Sequence, residues 1–361
     1  MVTIYLDFRN HENGEKKDLT KAVEALQNGE LVIMPTETVY GLGADGLQSK
    51  AVRKIFEAKG RKQDNPLILH VADRNMIDQV AVVTSQMEEK LIQAFMPGPL
   101  TIILQKKECV PDEVTAGNDT VGIRMPSDEI AHQLIQELGR PIAAPSANLS
   151  GKPSGTLMED IDQGLKQKVA VLIDGGQSRI GLESTVVKVI DGIPTILRPG
   201  RVTLEEIQKV CGKGEIDSHI FQQIQKQDEK VESPGMKYRH YAPKTKCRMI
   251  YSQDPVWMVQ GMKSEIQKAN QEGKKILVLA LSEDLEKYRT EKIEDILDMG
   301  KRENLEEVSN RIFTLLRKVD HYGADLVLIE GVQKEGLGLA IMNRLIRACE
   351  YDYREIEKRE E

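Results

Sequence analysis

The sequence has no long apolar run: the longest clean one, Ile276 to Leu281, falls far short of the ~20 residues a membrane helix needs. Its N-terminus, MVTIYLDFRNHENG, shows no basic region followed by an apolar stretch, so no signal peptide is expected. Cysteines are few. Cys109, Cys211, Cys247 and Cys349 form no CxxC pair, which speaks against a disulfide framework and against a cysteine zinc site. Together these point to a cytoplasmic protein with reduced thiols and no membrane association. Aromatic residues are only 4%, too sparse for a base-stacking platform on single strands. A formal charge of −7 opposes nonspecific coating of nucleic acid.

Familiar catalytic signatures are missing as well. There is no GxxxxGK[ST] phosphate loop, since Gly151-Lys152 runs into Pro153, and no HExxH helix or GxSxG elbow. Gly336-x-Gly338 is an isolated GxG and reads as a turn or the glycine opening of a helix. What is present is a chain of 361 residues, 40% hydrophobic and 30% charged, long enough for about two globular domains.

Strand and helix signals alternate through the first two hundred residues. Leu31–Met34, Leu67–Val71, Thr101–Leu104, Val169–Ile173 and Val186–Ile190 read as strands. Gly41 to Gly46 reads as a glycine-rich loop. Ser49 is expected to cap a helix whose apolar face is Ala51, Val52, Ile55 and Phe56, stopping at Gly60. Ser127 is expected to cap a second helix with Ile130, Leu134 and Leu138 inward and Gly139 at its end. The spacing gives an α/β or α+β domain over 1–212, a polar linker over 213–245, and a second, smaller α/β domain over 246–361. In that second domain Lys275–Leu281 and Leu326–Ile329 read as strands, and Asn304–Tyr322 and Leu339–Cys349 as helices. From Ser233 to Ser252 the chain holds five Lys/Arg and no acid, so this stretch reads as a solvated hinge or as a segment folding over an anionic site.

Four stretches carry candidate chemistry. PTETVYGLGADG (Pro35–Gly46) puts two threonines, a glutamate and a tyrosine after a strand, where α/β folds place ligands. Lys50 to Lys62 holds six Lys/Arg against one acid; Lys59, Arg61 and Lys62 follow the helix and suit an anion such as a polyphosphate. His70, ending the next strand, reads on its own as a core histidine, with a ligand role as the alternative. VGIRMPSD sets Arg124 at a strand end, where an arginine pairs with a carboxylate. APSANLSGKPS offers Ser146, Asn148, Ser150 and Ser154 as fixed polar groups for phosphate or ribose, or as a capped turn. GLESTVVKV and ILRPGR add Ser184, Thr185, Arg198 and Arg201. None supplies an activated nucleophile or a metal-ligand cluster. The inventory fits binding of a nucleotide and a small acid for adenylyl transfer, in which the protein positions groups and offsets phosphate charge.

In order and spacing, PTETVYGLGADG, KGRKQDNPLILHV, PGPLTIIL, VGIRMPSD, APSANLSGKPS, ESTVV and LRPGR closely resemble the threonylcarbamoyl-AMP synthase family with its YrdC-like domain. SPGMKYRHYAP and GLGLAIMNRLIRA resemble the linker and C-terminal domain of the long, two-domain form. The resemblance implies an α/β fold: a YrdC-like twisted mixed sheet with helices, plus a smaller Rossmann-like domain joined by a linker. It implies that L-threonine, bicarbonate (or carbon dioxide) and ATP give threonylcarbamoyl-AMP and pyrophosphate. A tRNA threonylcarbamoyltransferase complex then modifies tRNAs reading ANN codons.

Carried over residue by residue, the resemblance makes Lys59, Arg61, Ser146 and Asn148 the catalytic KxR and SxN signatures. Threonine is expected at Thr38, His70, Arg124, the backbone of Ala144, and Ser184, with Arg124 taking the carboxylate. ATP is expected at Arg61, Asn65, Thr120, Ser146, Ser154 and Arg198. His240 and Tyr241 become lid residues, which suits intermediates that hydrolyse in water. Magnesium is expected on the ATP phosphates, with no protein metal site. A rival reading is a non-catalytic protein of the same superfamily that binds tRNA or double-stranded RNA; a weak direct tRNA contact is compatible with either. Carbamoyl transfer in hydrogenase maturation is disfavoured by the missing cysteine pairs.

Overall fold

The structure is a computed structural model and describes residues 2–9, 17–221 and 242–357. Contacts divide it into two compact units, with the short run 151–153 grouped with the C-terminal one.

The N-terminal unit is built on twelve strands: β1 (Ile4–Asp7), β2 (Val32–Met34), β3 (Gly41–Asp45), β4 (Ile68–His70), β5 (Ala81–Val82), β6 (Leu100–Lys106), β7 (Thr120–Arg124), β8 (Ile142–Ala143), β9 (Val171–Asp174), β10 (Thr185–Ile190), β11 (Ile193–Arg198) and β12 (Glu215–Ile216). They lie in the order β1-β9-β2-β3-β8-β4-β7-β6-β10-β11-β12, with β5 against β6. The sheet is mixed. β4 runs parallel to β7, and β6 parallel to β10, whereas β6 and β7, β4 and β8, and β3 and β8 are antiparallel. Helices Thr20–Gln27, Ser49–Lys59 and Glu129–Leu138 bury apolar stripes (Leu26, Ile55, Phe56, Leu134) in one continuous core with Ile33, Leu69 and Ile123.

The stretch expected as a glycine-rich loop, Gly41 to Gly46, is instead mostly strand β3. Its glycines fit neighbours pressed close on both sides: a Cβ on Gly43 would stand 3.0 Å from Ile142 and 3.3 Å from Val32. Composition said turn, and tertiary packing made a strand. Two caps also shift by one residue. Ser49 is the first helical residue behind Gln48, which makes no side-chain cap bond. Asp128, not Ser127, caps the 129–138 helix, its carboxylate accepting from the Ala131 N–H at 2.9 Å. A carboxylate at that position also meets the positive end of the helix dipole. Gly60 and Gly139 end their helices in the left-handed conformation, as expected.

The C-terminal unit is a five-stranded sheet of β13 (Cys247–Tyr251), β14 (Ile276–Ala280), β15 (Asp295–Asp298), β16 (Leu326–Glu330) and β17 (Tyr353–Glu355). Their order is β15-β14-β16-β13-β17, and every pairing is parallel. Helices Pro255–Gln271, Leu305–Lys318 and Leu337–Ala348 make the crossovers, giving a Rossmann-like α/β layer.

Candidate active site

Side-by-side strand ends bring the expected threonine residues together. His70 and Arg124 are register partners on parallel β4 and β7. Ala144 follows β8 directly, and its N–H donates to the Ile68 carbonyl at 3.1 Å. On the other side of Arg124, β6 is flanked by β7 and β10; Thr101 on β6 shares a hydrogen bond of 2.8 Å with the Ser184 hydroxyl just before β10. Thr38, in the turn between β2 and β3, accepts the Gly181 N–H at 3.1 Å on its carbonyl. Within that turn Thr36 Oγ1 donates to the Val39 carbonyl at 2.6 Å and lies 2.9 Å from Thr38 Oγ1. Thr38, His70, Arg124, Ala144 and Ser184 are all buried.

The expected nucleotide residues form an adjoining network. The Lys59 ammonium donates to the carbonyls of Ser146 and Asn148, and Ser146 Oγ donates to Asn148 Oδ1 at 2.5 Å. Lys59 therefore shapes the Ser146–Asn148 turn. Arg61 donates to the carbonyls of Asn65 and Pro66 at 3.1 and 3.0 Å. Ser154 Oγ donates to Glu183 Oε1 at 2.6 Å. Arg198 donates to the Ser184 carbonyl at 3.1 and 2.8 Å and to its hydroxyl at 3.1 Å, which joins the nucleotide set to the threonine set. That junction depends on Gly200. A Cβ there would fall 2.3 Å from the Thr185 nitrogen and 2.5 Å from the Glu183 oxygen, so only glycine lets the Pro199–Gly200 turn lie against Ser184.

Thr120 stands apart. It starts β7 while Arg124 ends it, so the two share a face four residues apart, about 13 Å at ~3.3 Å per residue. Only an extended ligand reaches both. His240 and Tyr241 lie outside the described residues.

Burial, and secondarily the Arg124 cation, push His70 down to about 3, so its imidazole is neutral near pH 7. Burial, with Arg61 nearby, also pushes the Lys59 ammonium well below the ordinary lysine range. The carbonyls it meets work the other way. Buried polar groups almost always find partners, yet several here have none among the described residues: both Asn65 amide atoms, His70 Nδ1, Arg124 Nε and Nη2, and both Glu37 carboxylate oxygens. Three of these four side chains belong to the expected ligand set. Glu37 does not: it is visible in the sequence within Pro35–Gly46 but carries no expected role there. Its carboxylate is 2.8 Å from Arg124 Nη2 with no N–H aimed along the contact. The only signal was its place inside PTETVY, where nothing distinguishes an inward glutamate from a solvated one. Among the described residues no three His, Cys, Asp or Glu side chains gather as metal ligands, and no helix is long and apolar enough to cross a membrane.

A mixed α/β unit whose loops gather amino-acid-sized and phosphate-suited groups, followed by a Rossmann-like unit, defines a two-domain ligand-binding class. Residues 24–200 match the Sua5–YciO–YrdC family described as "Telomere recombination", and residues 202–349 match "Threonylcarbamoyl-AMP synthase, C-terminal domain". A threonylcarbamoyl-AMP synthase of Pyrococcus abyssi is 42% identical over 97% of this chain and 98% of its own. One of Bacillus subtilis is 40% identical over 96% of each chain. The crystal structure of P. abyssi Sua5 complexed with L-threonine superposes with a TM-score of 0.88 at 40% identity, covering 99% of this chain and all of that one. The chain belongs to the threonylcarbamoyl-AMP synthase family and is an enzyme of that nucleotidyltransferase type.

Proposed function

We propose that this enzyme condenses L-threonine, bicarbonate (or carbon dioxide) and ATP to threonylcarbamoyl-AMP and pyrophosphate. The observation that carries the reading is that buried Asn65, His70 and Arg124 each keep polar atoms without a hydrogen-bond partner among the described residues, in the same unit as the Lys59–Ser146–Asn148 turn. Two demands must be met. The threonine amine must be neutral to capture the carbon dioxide equivalent. The carbamate oxygen must then be held in line with the α-phosphate while pyrophosphate leaves.

Arg124 takes the substrate carboxylate, with Thr38, His70, the Ala144 backbone and Ser184 around the rest of the amino acid. Arg61, Asn65, Thr120, Ser146, Ser154 and Arg198 hold ATP, which arrives as its magnesium complex. Lys59 fixes the turn that presents Ser146 and Asn148. A neutral His70 serves as a hydrogen-bonding group. Of residues 213–245, expected as the linker, Glu215–Ile216 instead form β12 of the N-terminal sheet, and the part beyond it links the domains and supplies His240 and Tyr241 as the lid over a water-sensitive intermediate. The product passes to a tRNA-modifying complex acting on tRNAs that read ANN codons.

The test is pyrophosphate release with each substrate omitted in turn. Release requires both threonine and bicarbonate, and Arg61→Ala or Ser146→Ala abolishes it. Unchanged rates in both variants refute their assignment. A salt-dependent tRNA shift with no ATP turnover supports the RNA-binding reading instead.

A further inference from the structure

Glu37 is 1% exposed, and its neighbour Arg124 is 4% exposed. Its main chain is fixed from two sides. The Ile180 N–H donates to the Glu37 carbonyl at 2.8 Å, and the Thr36 hydroxyl accepts from the Thr38 and Val39 N–H groups at 3.2 Å each. The carboxylate is thus set in place beside the guanidinium. Beyond their mutual 2.8 Å contact, the second Glu37 carboxylate oxygen and Arg124 Nε have no hydrogen-bond partner among the described residues. Burying an ion pair without completing its hydrogen bonds is costly. The cost has a chemical reason if a zwitterion completes both sides at once. An amino acid has the required pattern, a carboxylate for Arg124 and an ammonium for Glu37.

The reaction needs that ammonium to lose a proton, and two other nearby groups are poor acceptors. His70 is pushed down to about 3 by burial and by Arg124. Lys59 points its nitrogen at the Ser146 and Asn148 carbonyls. Glu37 also lines a cavity of about 410 Å³ with Arg9, Lys17, Asp128, Glu129 and Arg179, while Arg124, outside that lining, meets the Glu37 carboxylate from β7. The charges around Glu37 are therefore mixed in sign.

Resting on the threonine-adenylylation reading, we propose that Glu37 receives the α-ammonium of bound L-threonine and accepts its proton while Arg124 holds the carboxylate. One N–H bond of the ammonium breaks, its electron pair stays on nitrogen, and an O–H bond forms on the Glu37 carboxylate. The freed amine attacks the carbon of bicarbonate, giving the carbamate and water.

The experiment compares binding of L-threonine with that of 3-hydroxybutyrate, the same molecule without its ammonium, in wild-type enzyme, Glu37→Gln and Glu37→Asp. Threonine-dependent pyrophosphate release is followed against pH in each. Wild type prefers threonine, and Glu37→Gln loses about tenfold or more of that preference. Its turnover near pH 7 falls by about 10²-fold and recovers as rising pH removes the ammonium proton from free threonine. Glu37→Asp retains the charge and lies between. If Glu37→Gln does not fold, as judged by its thermal transition, the Glu37→Asp loss and the wild-type preference decide. Wild type turning over while the variants keep the preference and the pH profile overturns the Glu37 role alone. Wild type that neither binds threonine nor releases pyrophosphate overturns the functional reading and this inference with it.

Discussion

Lys59 and Ser146, 87 residues apart in the chain, are joined directly: the ammonium donates to the Ser146 carbonyl and, alongside it, to that of Asn148. The two halves of the basic and hydroxyl signatures are thus one device. The cation holds the turn, and the turn presents the polar side chains.

Lys59→Met should therefore act through the turn. It leaves two part-buried carbonyls without their donor, a loss of about 1–3 kcal/mol. A lower thermal transition together with a raised ATP requirement is expected. A variant with unchanged melting and unchanged KM for ATP would show that the turn holds itself.

Gly200→Ala should destabilise the N-terminal unit although the added group is a single methyl. Its Cβ would lie 2.3 Å from one backbone nitrogen and 2.5 Å from a backbone oxygen, neither of which is free to swing away. The expected loss is about 1–3 kcal/mol, read as a lower urea midpoint. Activity should fall as well, because Arg198 is positioned by the same turn.

The depressed His70 gives a stability slope of known sign. The unfolded chain takes a proton on this ring below its usual value of 6.5, and the folded protein resists until about 3. Stability from this residue is complete above 6.5 and is lost as pH falls from there toward 3. Thermal transitions measured from pH 7.5 down to pH ~4.5 should drop more steeply for wild type than for His70→Asn. Parallel curves would place the acid sensitivity elsewhere.

Arg124→Gln should separate the two substrates. Arg124 ends β7 and Thr120 begins it. The threonine requirement should rise by about tenfold or more with the ATP requirement little changed. The opposite pattern would remove Arg124 from the carboxylate role.

The chain displayed some of this architecture openly and concealed the rest. Apolar runs such as Leu31–Met34 and Ile276–Leu281 announced strands because buried strands leave no alternative for such residues. β3 stayed hidden because its glycines, which normally signal turns, were required by close neighbours. At the site, residue types were readable but directions were not. A basic run shows positive charge; it does not show that Lys59 turns inward to carbonyls while Arg53 reaches out to Glu113. The glutamate of PTETVY stood in view but its role was not legible, for the same reason: its significance lies in the distant arginine that strand pairing brings beside it.

Carbon-labelled bicarbonate, incubated with the enzyme, L-threonine and ATP, is the most direct test of the central claim. The label should appear in an adenylate that also contains threonine, in step with an equal amount of pyrophosphate. Pyrophosphate released without label in any adenylate, or label incorporated without ATP, would contradict it.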